Sequence, residues 1–200
     1  MGGPAMIEGG GLGKFHPKEI GPAQQQYTNG VIDILVKDEA EAVQVVKKYL
    51  SYFQGDLKEW TCDNQELLRN AVPENRKYAY DIFKVINRLA DKDSVLELRG
   101  GFAKNMITAF IRINGKPMGL IGNSTRHLGG AIDSDAADKA ARFMQLCDAF
   151  GLPILSLCDA PGFMVGPDCE KTAMVRHSSR MFLVGASLTV PILTLSLIHI

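Results

Sequence analysis

A pair of glycines stands where a predicted strand gives way to a predicted helix, in the segment Asn123–Asp133 (NSTRHLGGAID). Glycine lets backbone amides approach a bound oxyanion closely, so Gly129 and Gly130 are candidates for stabilising an enolate or a tetrahedral oxygen. The alternative is a tight turn in which glycine serves conformation only, and the sequence leaves both open. Asp133 and Asp135 argue against a phosphate here, because carboxylates already occupy the positive end of the helix dipole.

The loop Asp159–Pro167 (DAPGFMVGP) is the second candidate, since it follows a predicted parallel strand and precedes a helix. Ligands of open parallel sheets bind at the carboxyl ends of the strands. Pro161 and Gly162 predict a rigid turn, and Phe163 places an apolar side chain where solvent is normally expected. A loop tucked beneath a neighbouring element is the alternative, but the position of the whole loop favours a functional role.

Reactive side chains are scarce elsewhere, and no nucleophile turn of the type G-x-S-x-G is present. No histidine has the spacing of a metal ligand, and each is expected at the surface or in packing: His16, His127, His177 and His199. The helix face with Arg176, His177 and Arg180 would attract an anion, although a solvated polar face is the commoner explanation. A scarcity of reactive side chains is expected of an enzyme that uses backbone amides and a cofactor supplied from outside the chain. It is equally expected of a protein that catalyses no reaction.

Composition and charge narrow the choice of partners. Lys and Arg number 22 and Asp and Glu number 22, which gives a formal net charge of zero and predicts neither a nucleic-acid partner nor an anionic membrane. The longest apolar stretch, 190–200, is about half of what a bilayer-spanning helix needs, and the amino terminus lacks the pattern of a signal peptide. The four cysteines have no ligand or disulfide spacing, so we expect free thiols and a cytoplasmic protein.

The first half of the chain predicts a glycine-rich loop, a strand at 31–36, and a helix that begins at Asp38 and ends before Gly55. A polar stretch over 54–73 indicates a linker or a surface connection. A second helix is predicted from apolar residues on one face, from Tyr78 to Leu89.

From Ser94 onwards the pattern changes to strands. Strands are predicted at 95–98, 106–113 and 118–122, with Asn114 and Gly115 as a hairpin turn. Helices around 140–147 and 174–182 then alternate with strands at 154–158 and 190–195, which implies parallel pairing.

Five segments of the second half resemble the beta-type carboxyltransferase component of biotin-dependent acyl-CoA carboxylases, such as acetyl-CoA and propionyl-CoA carboxylase. They are GFAKNMIT at 101–108, GLIGN at 119–123, GGAID at 129–133, AARFMQLCDAF at 140–150 and DAPGF at 159–163. The stretches 1–11 and 39–55 also resemble the end of that family's amino-terminal domain.

The resemblance implies an α/β fold of the crotonase/ClpP-like type, a spiral of β-β-α units of which this chain holds a part. Residues 1–54 would close the amino-terminal domain, 55–93 would form a linker and connecting helix, and 94–200 would begin the carboxy-terminal domain. In the family, biotin on a carrier protein donates a carboxyl group to the α-carbon of an acyl-CoA, and backbone oxyanion holes stabilise the reacting groups. Biotin carboxylase, the biotin carboxyl carrier protein and further copies of the chain are the implied partners, and biotin and coenzyme A thioesters are the implied cofactor and substrate.

The resemblance also implies which residues bind acyl-CoA and biotin. Residues 101–126 would belong to the acyl-CoA-binding region, and the loop after 159 would line the site beside biotin. The residues that we predict for acyl-CoA and biotin binding are Gly101, Phe102, Ala103, Asn105, Gly122, Asn123, Gly129, Gly130, Pro161, Gly162, Phe163 and Gly166. We predict no catalytic side chain and no metal ligand.

The chain departs from the family at its ends. The glycine pairs that form the family's oxyanion holes are expected before Met1 and after Thr194, so we expect a fragment that is inactive in isolation. Residues 195–200 fit the family's continuation poorly, which leaves a non-native origin open. We expect acetyl-CoA or propionyl-CoA as the substrate, while a biotin-dependent decarboxylase and a noncatalytic assembly module remain alternatives.

Overall fold

A five-stranded mixed sheet forms the centre of the computed structural model, which describes residues 2–75 and 78–197. The strands lie in chain order: β1 (Leu96–Glu97), β2 (Met106–Ile113), β3 (Lys116–Asn123), β4 (Ile154–Cys158) and β5 (Ile192–Ser196). β1, β2 and β3 pair antiparallel, whereas β3, β4 and β5 pair parallel. The predicted strands of the second half and their parallel pairing are confirmed.

The tight turn between β2 and β3 is the predicted hairpin. Asn114 and Gly115 have φ values of 53° and 76°, the positive values that a type I′ turn requires. Their amides donate to the Asp91 carboxylate over 3.0 and 2.7 Å, so a buried acid holds the turn from outside the hairpin.

Seven helices surround the sheet within the described ranges: α1 (Pro4–Gly9), α2 (Ala23–Thr28), α3 (Glu39–Ser51), α4 (Ile82–Leu89), α5 (Ser134–Ala149), α6 (Pro167–Lys171) and α7 (Met174–Ser187). Short 3-10 turns lie at Pro17–Glu19, Gln65–Asn70 and Leu128–Gly130. α5 covers one face of the sheet, together with side chains of α3, and α4 covers the other, so two apolar clusters sandwich the strands.

Two details of the predicted elements are wrong. Residues 31–36 form no strand. The Asp33 carbonyl accepts one hydrogen bond from the Arg99 amide, but none of the strands in the described ranges lies alongside, so alternation alone does not produce a strand there. The second helix begins at Ile82 and not at Tyr78, because the Asp81 carboxylate caps it by accepting from the Phe83 amide.

The domain boundaries and the origin of the last six residues stay predictions. Side chains of α3 pack on the same apolar cluster as β2 and α5, and the boundaries at 54/55 and 93/94 stay a prediction. Residues 198–200, including His199, lie outside the described residues, so the origin of 195–200 also stays a prediction. Among the described helices, none has the length and apolar character needed to cross a membrane.

Candidate functional site

The candidate site lies at one edge of the sheet, where three loops meet. β3 and β4 run parallel and end at this edge, in Asn123 and Cys158. β2 runs antiparallel to β3 with Met106 opposite Asn123, so the loop before β2 reaches the same edge. Residues 101–105, 123–133 and 159–166, which hold most of the predicted binding positions, are therefore neighbours in space.

Asn105 and Asn123 link these loops through buried side chains. Asn105 donates from Nδ2 to the Ala131 carbonyl over 2.8 Å and to the Asp133 carboxylate over 3.1 Å. Asn123 donates to the Gly130 carbonyl over 3.2 Å and accepts from the Asp159 amide over 3.2 Å. Because buried amides are costly to leave unpaired, these bonds fix the relative positions of the loops.

The two adjacent glycines, Gly129 and Gly130, have different surroundings. Both have positive φ, 59° and 81°. A Cβ on Gly130 would overlap the Asp159 carbonyl oxygen, whereas no atom of the described residues lies within 4 Å of the Cβ position of Gly129. The Gly130 amide donates to the His127 carbonyl over 2.9 Å, so this amide serves the turn. The turn interpretation accounts for Gly130, and an oxyanion role for either glycine stays a prediction.

Tyr80 joins the site from the connection before α4. Its hydroxyl donates to Oδ2 of Asp159 over 2.7 Å, and its amide donates to Oγ1 of Thr125 over 3.3 Å. Burial, with a further contribution from the Asp159 carboxylate, raises the pKa of Tyr80. The phenol therefore stays protonated and remains a hydrogen-bond donor at neutral pH.

A cleft of about 330 Å³ opens between these loops. Its volume is near the lower end of the range for small-molecule sites. Asp159 is the one side chain among the described lining residues that carries a charge at neutral pH, and most of the others are apolar or aromatic: Val72, Pro73, Tyr78, Ala79, Tyr80, Thr125, Gly129, Asp159, Ala160, Pro161 and Leu197.

The predicted biotin loop runs along the cleft and then turns away. Pro161 lines the cleft, and the Gly162 carbonyl accepts from the Ile132 amide over 3.0 Å. Phe163 pairs with Ile132 in an isolated parallel bridge and packs its ring 5.3 Å from that of Phe182. Gly166, with φ of 113°, precedes α6 at its N-cap.

Of the twelve predicted binding residues, Gly129 and Pro161 are the two among the described lining residues of the cleft, and four of the others pack against other parts of the chain. Gly101 lies against the Tyr27 ring, and the Phe102 ring lies against Gly30. The carbonyls of Phe102 and Ala103 accept hydrogen bonds from Lys139 of α5, over 2.8 and 3.4 Å.

The fourth, Gly122, lies within β3 and packs against side chains of the core. A binding role for all four residues stays a prediction.

The polar face of α7 pairs with α5. Nδ1 of His177 lies 2.8 Å from Oδ2 of Asp138, and Arg180 lies 3.5 Å from Oδ1 of the same carboxylate. Arg180 is exposed, as a solvated polar face predicts, whereas the His177 side chain is only 21% exposed in its pair with Asp138. Burial raises the pKa of Asp135 on the same side of α5, and the carboxylates of Asp133 and Asp138 add to that effect.

A larger cavity of about 540 Å³ lies between α3 and α5. Two of its cationic side chains are already engaged: Arg99 pairs with Asp33 at 2.9 Å, and Lys139 donates to backbone carbonyls. Burial lowers the pKa of Lys139 to about 8, although the Glu97 carboxylate opposes the effect. The described residues contain no group of three or more His, Cys, Asp or Glu that could hold a metal ion.

The family of the chain follows from sequence and fold together. The carboxyl transferase domain family matches residues 11–198, and the chain belongs to this family. It is 36% identical over 200 residues to the uncharacterized carboxylase YngE of Bacillus subtilis, covering 96% of this chain and 39% of that protein. It is 34% identical over 188 residues to the methylmalonyl-CoA carboxyltransferase 12S subunit of Propionibacterium freudenreichii, covering 90% of this chain and 36% of that subunit.

Solved structures agree with this assignment. A single-chain, multi-domain long-chain acyl-CoA carboxylase superposes with a TM-score of 0.95 at 55% identity, over 98% of this chain and 20% of that one. The transcarboxylase 12S hexamer with bound methylmalonyl-CoA superposes with a TM-score of 0.84 at 32% identity, over 97% of this chain and 40% of that one. The α/β, crotonase-like fold is therefore confirmed, and the chain spans two fifths or less of the length of these relatives.

Sequence reasoning missed the Tyr80 contribution to the site. Asp159 and Thr125 lie in the motif segments but not among the predicted binding residues, and no motif includes Tyr80. The hydrogen bond between Tyr80 and Asp159 joins residues 79 positions apart in the chain, so no local sequence pattern predicts it. The Asp81 helix cap was the available signal, because it places the preceding tyrosine outside the helix.

Proposed function

We propose that this chain is part of an enzyme that transfers a carboxyl group between biotin on a carrier protein and the α-carbon of an acyl-CoA. The observation that carries the proposal is the match to the carboxyl transferase domain over residues 11–198, with two motif loops gathered at the carboxyl edge of the parallel strands. The relatives are carboxylases and carboxyltransferases in name, which supports the same reaction class.

The loop 159–166 suits a bulky group delivered by a partner protein. No atom of residues 2–75 and 78–197 lies within 4 Å of the Cβ positions of Gly162 and Gly166, and Pro161 is exposed, so the loop can be approached from solvent. Carboxybiotin would supply the carboxyl group when it binds there. Pro161, Gly162 and Phe163 would hold and orient it, and the chain contributes no catalytic side chain in this proposal.

The substrate is an acyl-CoA thioester. Acetyl-CoA and propionyl-CoA remain the proposed substrates, in keeping with relatives such as the acetyl-/propionyl-coenzyme A carboxylase beta5 subunit of Mycobacterium tuberculosis, at 32% identity. The 55% identical structure is that of a long-chain acyl-CoA carboxylase, so acyl length has to be tested across a wide range.

The reverse direction is a second candidate. The alpha subunit of methylmalonyl-CoA decarboxylase from Propionigenium modestum is 30% identical over 177 residues. A decarboxylase and a carboxylase share the transfer step, and their direction depends on the partner subunits.

The proposed partners are a biotin carboxyl carrier protein, a biotin carboxylase and further copies of the chain. The related transcarboxylase 12S subunit assembles as a hexamer, which supports an oligomer. A cytoplasmic location is part of the same proposal.

A segment exchange tests the function without requiring further sequence. Residues 11–194 would replace the matching segment of the Propionibacterium 12S subunit, and the exchanged protein would be assayed with carboxylated carrier protein and acyl-CoA esters of increasing length. We expect transfer to at least one ester. An exchanged protein that assembles to the size of the parent subunit and transfers to none would contradict the proposal.

A further inference from the structure

Two neighbouring cavities on the α5 side of the sheet share three cationic side chains. The larger cavity, of about 540 Å³, lies between α3 and α5, and a smaller one of about 360 Å³ lies between residues 29–31, α5 and α7. Both are lined by Arg99, Lys139 and Arg142. These cations therefore stand where the two cavities meet, and none of them lines the cleft beside the loop after β4.

Arg99 is a buried cation that is held by one edge of its guanidinium. Its side chain is 10% exposed, its amide donates to the Asp33 carbonyl over 2.7 Å, and its Nε donates to the Asp33 carboxylate over 2.9 Å. Within residues 2–75 and 78–197, its two terminal nitrogens donate no hydrogen bond, and neither nitrogen is fully buried. A guanidinium that is fixed in position and open on its other edge is suited to bind a carboxylate.

The cations around Arg99 outnumber the acids. The described lining residues of the two cavities include four cations and two acids, which are Arg99, Lys139, Arg142, Arg180, Asp33 and Asp138. Each acid already has a cationic partner, because Asp33 pairs with Arg99, and Asp138 with Arg180 at 3.5 Å. Burial lowers the pKa of Lys139, the Glu97 carboxylate opposes this effect, and the charge of Arg99 adds to it. An anion beside Arg99 and Lys139 would stabilise both cations.

The larger cavity continues from these cations into an apolar space. Its walls include aliphatic and aromatic side chains of the segment before α3, α3, the segment after β1 and α5: Ile34, Val45, Val46, Leu98, Phe143 and Leu146. Val46 is 54% exposed, so the space opens to solvent along α3. The volume lies within the range of small-molecule sites. A ligand that fits has a carboxylate at one end and an aliphatic chain at the other.

We propose that the larger cavity binds a free aliphatic carboxylic acid, with its carboxylate on Arg99 and Arg142 next to the Lys139 ammonium and its chain between α3 and α5. Inorganic phosphate has the charge but no chain, and an aliphatic alcohol has the chain but no charge, so neither should bind as well. The inference goes beyond the proposed carboxyl transfer and does not depend on it, because it uses no lining residue of the cleft beside the loop after β4.

Titrations of the 200-residue chain followed by ¹⁵N NMR test the proposal. The probes are butyrate, hexanoate and octanoate, with 1-hexanol and inorganic phosphate for comparison, and the reporters are the backbone amides of Val46, Arg99 and Arg142. We expect saturable shifts with octanoate and a dissociation constant that falls by about fourfold for each further CH₂ group that is buried. Hexanoate should bind about tenfold or more tightly than 1-hexanol, as expected for hydrogen bonds between charged groups.

Arginine variants test the contacts of the carboxylate. Arg99→Gln should weaken octanoate binding by about tenfold or more, because a buried bond to a charged group is lost. Arg142→Gln should weaken it by about two- to fivefold, since Arg142 is exposed. This exposed substitution keeps the test decisive if the Arg99 variant does not fold. Arg69→Gln, which changes an exposed arginine outside both cavities, is the matched control and should leave the dissociation constant unchanged.

Two valines of α3 test the place of the aliphatic chain. Val46 and Val43 are 54% and 53% exposed, but of the two only Val46 is among the described lining residues of the cavity. Val46→Asn should weaken octanoate binding and reduce the difference in affinity between octanoate and butyrate. Val43→Asn makes the same change on the same helix and should leave both affinities unchanged.

Three results would overturn the inference: no shift with octanoate at about 10 mM, an affinity for 1-hexanol or phosphate equal to that for hexanoate, or equal octanoate affinity in wild type and the folded arginine variants. The segment-exchanged 12S protein provides the same test in an assembled enzyme, because residues 11–194 include every described lining residue of the cavity. Octanoate binding to the 200-residue chain but not to the exchanged protein would show that another segment fills the cavity, and would also overturn the inference. Carboxyl transfer without octanoate binding would refute this inference alone, and octanoate binding without carboxyl transfer would refute the proposed function alone.

Discussion

Replacing either of two adjacent glycines with alanine isolates one contact at the site. Both residues, Gly129 and Gly130, have positive φ, so an added Cβ costs each about 1 to 2 kcal/mol of backbone strain. At Gly129 no atom in the described part of the chain lies within 4 Å of the new Cβ, and the strain is the main cost. At Gly130 the Cβ would also overlap the Asp159 carbonyl oxygen, and moving that backbone adds about 1 to 3 kcal/mol, as in overpacked cores.

We therefore expect Gly130→Ala to lower the free energy of unfolding by about 3 kcal/mol, against about 1 kcal/mol for Gly129→Ala. For a chain of this size the difference corresponds to a melting temperature lower by roughly 4 to 8 °C in the Gly130 variant. Urea unfolding followed by circular dichroism measures both variants against wild type, with equal m-values as the check that the same surface is exposed.

The adjacent glycine is the control, because both substitutions add the same methyl group in the same backbone region. Equal losses of stability would refute the close approach of Gly130 to Asp159. A larger loss for Gly129→Ala would show that the turn is arranged differently from the structure described above.

Three further predictions concern stability and activity. The pKa of Lys139 is about 8 in the folded chain and near 10.5 in the unfolded chain. Between these pH values the unfolded chain binds one more proton than the folded chain, so the free energy of unfolding rises as pH rises from 8 to 10.5. Lys139→Met should remove that gain, which is measured as the pH dependence of the difference in unfolding free energy between variant and wild type; a constant difference would contradict the burial of a cation. Arg112→Met should lower the free energy of unfolding by about 3 kcal/mol, because Arg112 is 3% exposed and donates to the carbonyls of Ser51 and Gly55. Arg126 is exposed, so Arg126→Met should lower it by less than about 1 kcal/mol. Equal losses in urea unfolding would refute the structural role of Arg112. The 200-residue chain alone should give no carboxyl transfer in a radiolabel assay, and measurable transfer would overturn the expectation that other segments complete the site.

The sequence predicted the sheet best where local signals agree. β2 and β3 are apolar runs joined by Asn114 and Gly115, and both the strands and the turn were predicted from that pattern. β4 begins at the predicted residue, Ile154, because an apolar run follows the helix stop at Gly151–Pro153. Residues 31–36 show the limit, since alternation describes a strand but does not supply a partner for its hydrogen bonds.

The site was harder to predict than the fold, because its contacts join distant residues. The motifs placed two loops at the carboxyl edge of the parallel strands, as the structure does. The partner of Asp159 is Tyr80, which precedes the sheet in the chain and carries no motif of its own. The different surroundings of Gly129 and Gly130 likewise depend on tertiary packing that identical residues cannot reveal.

A single-turnover label transfer tests the assignment to carboxyl transfer most directly. The segment-exchanged 12S protein is mixed with biotinylated carrier protein and malonyl-CoA or methylmalonyl-CoA that carries ¹⁴C in the free carboxyl group, without ATP or biotin carboxylase. We predict that label appears on the carrier protein and that unlabelled acyl-CoA forms in equal amount. Label that stays on coenzyme A esters, in an exchanged protein that is folded and assembled, would contradict the account.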